Sequence, residues 1–240
     1  MPEGRAALRV GVLVSGTGTV LQALIDACRS GEVTAEIAVV VSNVPGAFAL
    51  ERARAAGIPA VTLDHRDFAD RAAFEAVLRT TLEDAKVGLV CLAGFLRILT
   101  PGFVDAFAGR IMNIHPALLP AFGGKGMYGD RVHEAVLASG ARLSGCTVHF
   151  VTRDADAGPI VVQTSVPVED GDTPATLSAR VRREELRAYP LAVRLFAERR
   201  LRVEGNRVRV LSTKEGGPAG AAAPPGSGGP DARVRLRTKP

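Results

Sequence analysis

Apolar residues along the chain recur in two rhythms. Short runs of consecutive apolar, largely β-branched residues occur at Leu8–Val14 (LRVGVLV), Glu36–Val41 (EIAVVV), Ala60–Leu63 and Val87–Leu92 (VGLVCL). Runs of this length, bounded by turn residues, predict strands buried on both faces. Between them the spacing changes to that of a helix. Val20–Arg29 puts Leu21, Leu24, Ile25 and Cys28 on one face and stops at Gly31; Ala47–Ala56 ends at Gly57; Asp67–Ala85 carries Phe68, Ala72, Val77 and Leu78. Buried strands alternating with helices predict an α/β fold with a mainly parallel twisted sheet flanked by helices.

The second half has a different pattern. Arg110–Ile114 reads as a strand running into His-Pro, and Asp130–Ser139 as a helix closed by Gly140. Cys146–Val151 and Ile160–Val168 alternate apolar and polar residues, which predicts a hairpin forming an antiparallel end to the sheet. Thr173–Arg199 reads as a long helix with a break at Tyr189-Pro190, because proline disfavours helix in the residue before it. Leu201–Leu211 predicts a terminal hairpin around Gly205-Asn206. There is no internal repeat.

Composition narrows the class. The 240 residues are 47% hydrophobic and 23% charged, which excludes disorder over the whole chain. Cys28, Cys91 and Cys146 lie far apart with no CxxC, so neither a disulfide framework nor zinc spacing is present and a reducing compartment fits. No apolar run approaches the roughly 18 residues of a membrane span. Arg5 and Arg9 frame a short strand rather than a signal sequence. These features predict a soluble cytoplasmic protein. The net charge is +5, but residues 213–240 hold five basic against two acidic side chains, so little excess is left for the rest. That stretch is rich in Gly, Pro and Ala and reads as a disordered, solvated basic tail. No aromatic residue interleaves its charges, so it lacks the stacking surface for nucleic acid.

Three segments carry candidate chemistry. Ser15-Gly16-Thr17-Gly18-Thr19 lies between the first strand and the first helix, where glycines admit close backbone approach and helix N-terminal N–H groups favour an anion. It matches neither GxxxxGK[ST] nor GxGxxG. Asn113-Ile114-His115-Pro116 ends a strand, and a period of two puts Asn113 and His115 on one face. An amide that stabilises an oxyanion beside an imidazole that moves a proton suits acyl transfer, and no Ser or Cys in that segment suggests a covalent intermediate. Val151–Ile160 (VTRDADAGPI) sets Asp154 and Asp156 in an inter-strand loop; by spacing alone either could raise and orient the imidazole. His65, His133 and His149 are expected in surface or sheet roles.

Read together, SGTGT (15–19), AGFLRILTP (93–101), NIHPALLPAFGGKGMYG (113–129) and GCTVHFVTRDADAGPI (145–160) resemble the phosphoribosylglycinamide formyltransferase family, in order from about residue 8 to 200. The resemblance implies formyl transfer from 10-formyltetrahydrofolate to the glycinamide amine of a phosphoribosyl substrate, on the formyltransferase α/β fold. It implies one domain over 1–212, with a phosphate-binding half about 8–100 and a folate and catalytic half about 101–212. Carried over, Asn113, His115 and Asp156 are catalytic. Asp156 is chosen over Asp154 because it precedes x-Gly, and it is expected to keep His115 protonated. Gly18, Thr19, Val20 and Glu185 hold the substrate. Arg71, Leu96, Arg97, Ile98, Leu99 and Asn113 hold the folate. No metal, nucleic acid or membrane is implied, and a homodimer is compatible. The sequence departs from the family at Val20, where Asn is common, in the AFGGKGMYGD loop, and in the tail. Formyltetrahydrofolate hydrolase and other folate-dependent formyltransferases share the Asn/His/Asp set. A non-catalytic nucleotide-binding module is the alternative of another class, and it leaves those three residues unexplained.

Overall fold

The computed structural model describes residues 7–213, so the tail read from sequence lies, apart from Thr213, outside the described residues. Among the described residues nine strands form one sheet. The first, β1 (Leu8–Val14), lies inside it, paired in parallel with β2 (Ala35–Ser42) on one side and β4 (Leu89–Leu92) on the other. β3 (Ala60–Thr62) extends the β2 side and β5 (Ile111–His115) the β4 side, both in parallel. β6 (Leu143–Phe150) then runs antiparallel to β5, and β7 (Ile160–Pro167) antiparallel to β6. The hairpin of β8 (Leu201–Glu204) and β9 (Arg207–Val210) closes this edge, with β9 beside β7. The order is therefore β3-β2-β1-β4-β5-β6-β7-β9-β8.

Alternation along β1 sends side chains into two cores. Val10, Val12 and Val14 pack with Leu21 and Leu24 of α1 (Thr19–Ser30), with Ala49 and Ala53 of α2 (Phe48–Ala55), and with α6 (Pro174–Ala197). Leu13 enters the other core with Phe74, Leu78 and Leu82 of α3 (Arg71–Asp84) and Phe103 of α4 (Pro101–Ala106). α5 (Asp130–Ala138) joins the first side through Val136 and packs on α6. The segment read as a helix from Asp67 begins instead as a 3-10 turn at His65–Asp67, and α3 starts afresh where Asp70 accepts a bond from the Ala73 N–H at 2.8 Å. α4 has no counterpart in the sequence reading; six residues are too few for periodicity to register.

The break read at Tyr189-Pro190 does not occur: α6 runs unbroken through Pro190. A proline inside a helix costs about 3 kcal/mol. Against that, Leu177, Val181, Ala188, Tyr189, Ala192 and Val193 are all buried, and full burial of one large apolar side chain is worth about 1.5–3 kcal/mol. The Tyr189 hydroxyl faces the Met112 carbonyl at 2.8 Å and the Leu92 carbonyl at 3.2 Å, fastening the helix to β5 and the end of β4.

Candidate active site

Two strands supply the centre of the site. In the β5–β6 register Asn113 stands opposite His149 and His115 opposite Thr147. Asn113 Nδ2 lies 3.4 Å from His149 Nε2. The His149 Nδ1–H donates to the Phe150 carbonyl at 2.9 Å, which leaves Nε2 facing the Asn113 amide and the Asp156 carboxylate. The His115 Nε2–H donates to the Phe122 carbonyl at 2.8 Å, which leaves Nδ1 to take a proton. Asp156 reaches both rings: Oδ2 is 3.6 Å from His115 Nδ1 and Oδ1 is 3.6 Å from His149 Nε2. The Gly124 N–H donates to Asp156 Oδ2 at 2.9 Å.

The loop between β6 and β7 is shaped to present this carboxylate. Asp156 takes φ +54°, a left-handed conformation that Asp tolerates better than most residues. Two residues on, Gly158 passes so close to the Phe150 carbonyl that a Cβ would collide with it. Asp154 is exposed on the outside of the loop. Beyond β5, Thr147 holds the chain after His115. Its hydroxyl donates to the Ala117 carbonyl at 2.7 Å and accepts from the Leu119 N–H at 3.1 Å, and Gln163 Nε2 donates to the Leu119 carbonyl at 2.7 Å.

Burial sets the proton affinities. His115 is almost fully buried, and the cost of charging it there lowers its pKa below the ordinary 6.5; Asp156 and the Phe122 carbonyl oppose this and His149 adds to it. Asp156 raises the imidazole, as the sequence suggested, but desolvation of the buried ring outweighs it and the net direction is downward. For Asp156 itself burial pushes upward, but His149, the Gly124 N–H and His115 together hold the carboxyl below its usual range. The site thus sets an acidified carboxyl beside an oriented imidazole of lowered proton affinity.

These groups line one cavity of about 840 Å³, within the range of small-molecule sites. The 16–20 segment lines it. Gly18 caps α1 with φ +72°, Thr19 begins the helix, and Val20 offers a buried apolar side chain. The 96–99 stretch, also in its lining, projects Leu96 and Ile98 into the open, buries Leu99, and stacks Arg97 5.9 Å over the Phe74 ring. Ser15 joins the two segments: its hydroxyl donates to Asn43 Oδ1 at 2.6 Å and accepts from the Leu96 N–H at 2.9 Å. Glu185 and Arg182 of α6 form part of the wall. Burial raises the Glu185 carboxyl above its ordinary pKa and Arg182 opposes the rise. Arg71, at the start of α3, is exposed and does not line the cavity.

Gly18 has no room for a side chain. A Cβ there would come within 2.6 Å of Ala49 Cβ and 2.8 Å of its Cα. Gly18→Ala is expected to destabilise the fold by about 2 kcal/mol, from the left-handed conformation and the displaced α2. A thermal melt checks this; an unchanged Tm would mean the loop adapts at no cost.

Two histidines expected in surface or sheet roles are in the site. His149 does lie on a strand, but buried between Asn113 and Asp156. His133 is on α5, buried at the cavity wall, and its Nδ1 has no hydrogen-bond partner among the described residues. Burial lowers its pKa, with Asp130 opposing. His65 is partly exposed beside Asp64, as expected of a surface residue. The signal that could have found His149 is its place in an alternating strand paired with the one bearing Asn113, a pairing that no local pattern encodes.

A doubly wound sheet with an antiparallel end, and an amide, an imidazole and a carboxylate at the wall of one cavity, fit a one-carbon transferase, and the sequence agrees: residues 8–193 match the formyl transferase family and the chain belongs to it. Its relatives make this more particular. It is 42% identical over 199 residues to the phosphoribosylglycinamide formyltransferase of Escherichia coli (strain K12), covering 83% of this chain and 92% of that protein. It is 47% identical over 190 residues to the trifunctional purine biosynthetic protein adenosine-3 of Gallus gallus; this covers 79% of the chain but spans only 18% of that much longer protein. Among solved structures, glycinamide ribonucleotide transformylase 1 from Symbiobacterium toebii superposes with a TM-score of 0.84 at 47% identity, over 88% of this chain and 98% of that one.

Proposed function

We propose that this protein transfers the formyl group of 10-formyltetrahydrofolate to the amine of 5-phosphoribosylglycinamide in purine biosynthesis. The observation that carries the reading is the meeting of Asn113, His115 and Asp156 in a cavity that a glycine loop and the partly apolar 96–99 stretch also line. The phosphate would lie on the N–H groups at Gly18 and Thr19, with Val20 contributing backbone only and Glu185 facing the sugar. The pterin would lie against Leu96, Arg97, Ile98 and Leu99. Arg71 would meet the folate tail only outside the cavity.

The neutral amine attacks the formyl carbon directly. Charge develops on the formyl oxygen, where an Asn113 amide hydrogen stabilises it, a donor worth about 10²–10³ in rate. The attacking nitrogen gives up a proton, which His115 takes; Asp156 stabilises the imidazolium only as it forms. The same proton then goes to the departing folate nitrogen, the C–N bond to folate breaks, and both products leave neutral at the reacting atoms. Register between the two bound molecules supplies much of the remaining acceleration. No helix among the described residues is long and apolar enough to cross a membrane, and a cytoplasmic site of action goes with this reading.

Mixing the protein with 10-formyltetrahydrofolate, with and without phosphoribosylglycinamide, tests the proposal. Folate product is expected only with both. Product without the amine would make the protein a hydrolase, and no product in either case would leave a binding module. The pH profile is a second test. A base whose pKa is lowered works above that pKa and is lost as pH falls through it. The acidic limb of kcat at saturating substrates is therefore expected below pH 6.5, and lower still in Asp156→Asn, where the carboxylate no longer raises the imidazole. A limb above pH 7 would assign it to another group.

A further inference from the structure

The 15–19 loop is held from behind by one helix. The Ala49 N–H, in the first turn of α2, donates to the Gly16 carbonyl at 3.1 Å. One turn on, the Arg52 Nε–H donates to the Thr17 carbonyl at 2.9 Å. Arg52 is itself fixed: its guanidinium lies 4.8 Å over the Phe48 ring, and NH1 reaches Gln22 Oε1 of α1 at 3.2 Å. Its Cδ is close enough that a Cβ on Gly18 would touch it at 3.4 Å.

A planar trans peptide points its carbonyl and its N–H in opposite directions. When α2 draws the Gly16 and Thr17 carbonyls to its side, the N–H groups of Thr17 and Gly18 are turned to the other side, which is the cavity that both residues line. Neither N–H donates to an acceptor among the described residues. Nor does Arg52 form an ion pair among them, so its charge stands un-neutralised behind the loop. We propose that Arg52 is a positioning residue for phosphate recognition: it fixes the Thr17–Gly18 peptide with its N–H toward the substrate phosphate and adds positive charge from outside the cavity. This makes the loop a formed anion cradle even though Val20 brings no polar side chain to it. The inference rests on the proposed phosphoribosylglycinamide reading.

The test compares phosphoribosylglycinamide with its dephosphorylated riboside in the unsubstituted protein, Arg52→Ala and Arg52→Lys. The unsubstituted protein should strongly prefer the phosphorylated substrate. In Arg52→Ala the KM for that substrate should rise about 10-fold, the order of one charge-assisted hydrogen bond, and the preference over the riboside should fall by the same factor. The KM for the formyl donor and kcat should stay within about 2-fold. Arg52→Lys keeps the charge without the fixed guanidinium fork and should fall between the two. Equal losses on both substrates, or an unchanged preference in both variants, would overturn the role of Arg52. An unsubstituted protein with no preference for the phosphate would instead overturn the substrate reading beneath it.

Discussion

Replacing His115 by alanine is expected to lower kcat about 10³-fold with little change in either KM. The expectation follows from position. The ring is almost fully buried at the end of β5, with one nitrogen held by the Phe122 carbonyl and the other turned to Asp156. It therefore adds little to the binding of either substrate in the ground state. What is lost is the proton relay between two nitrogens, and general acid–base transfer of this kind is worth about 10²–10⁴. Asp156→Asn should lose less, because the imidazole remains and only its stabilisation as a cation goes. Steady-state rates, with circular dichroism to verify the fold, decide the matter. A His115→Ala protein within 10-fold of full turnover would remove this residue from the chemistry.

Tyr189→Ala is expected to have the largest effect on stability, about 4 kcal/mol. The side chain is the largest of those fully buried, and its hydroxyl sits between the Met112 and Leu92 carbonyls. Truncation opens a cavity and strands both acceptors in an apolar core. In a chain of this size the Tm should fall by about 10 °C. Tyr189→Phe separates the two contributions: it keeps the packing, loses the hydroxyl, and should cost about 1–2 kcal/mol. A calorimetric melt measures both. Loss of less than 1 kcal/mol in the alanine variant would show that α6 holds its place through Val181, Ala192 and Val193 without the tyrosine.

The alternation of buried runs with helical spacing made the α/β sheet legible, and the period-two pattern after Cys146 made its antiparallel end legible. Both signals are local, and burial on two faces or one writes them directly into the chain. What the sequence hid was non-local. Pro190 reads as a break until the partners of its neighbour Tyr189, nearly a hundred positions earlier at Leu92, are known. His149 reads as a strand residue until its strand is laid beside Asn113. Thr100-Pro101 did carry a start signal for α4: the Thr100 hydroxyl accepts from the Phe103 N–H at 3.4 Å and donates to the buried Glu75 carboxylate. The resemblance to a family named Asp156 where spacing left two aspartates open. It could not show that burial outweighs Asp156 in setting the proton affinity of His115.

The opposition of Asn113 and His149 is a matter of ladder register, and a slip of one position would bring Val148 to face the amide. Accuracy at the reacting carbon is thus inherited from main-chain pairing in the interior, seconded by two main-chain groups of the excursion that follows β5, the Phe122 carbonyl and the Gly124 N–H. Insertions beyond Gly124 offer a route for remodelling substrate access in the laboratory without retuning the strands that do the chemistry.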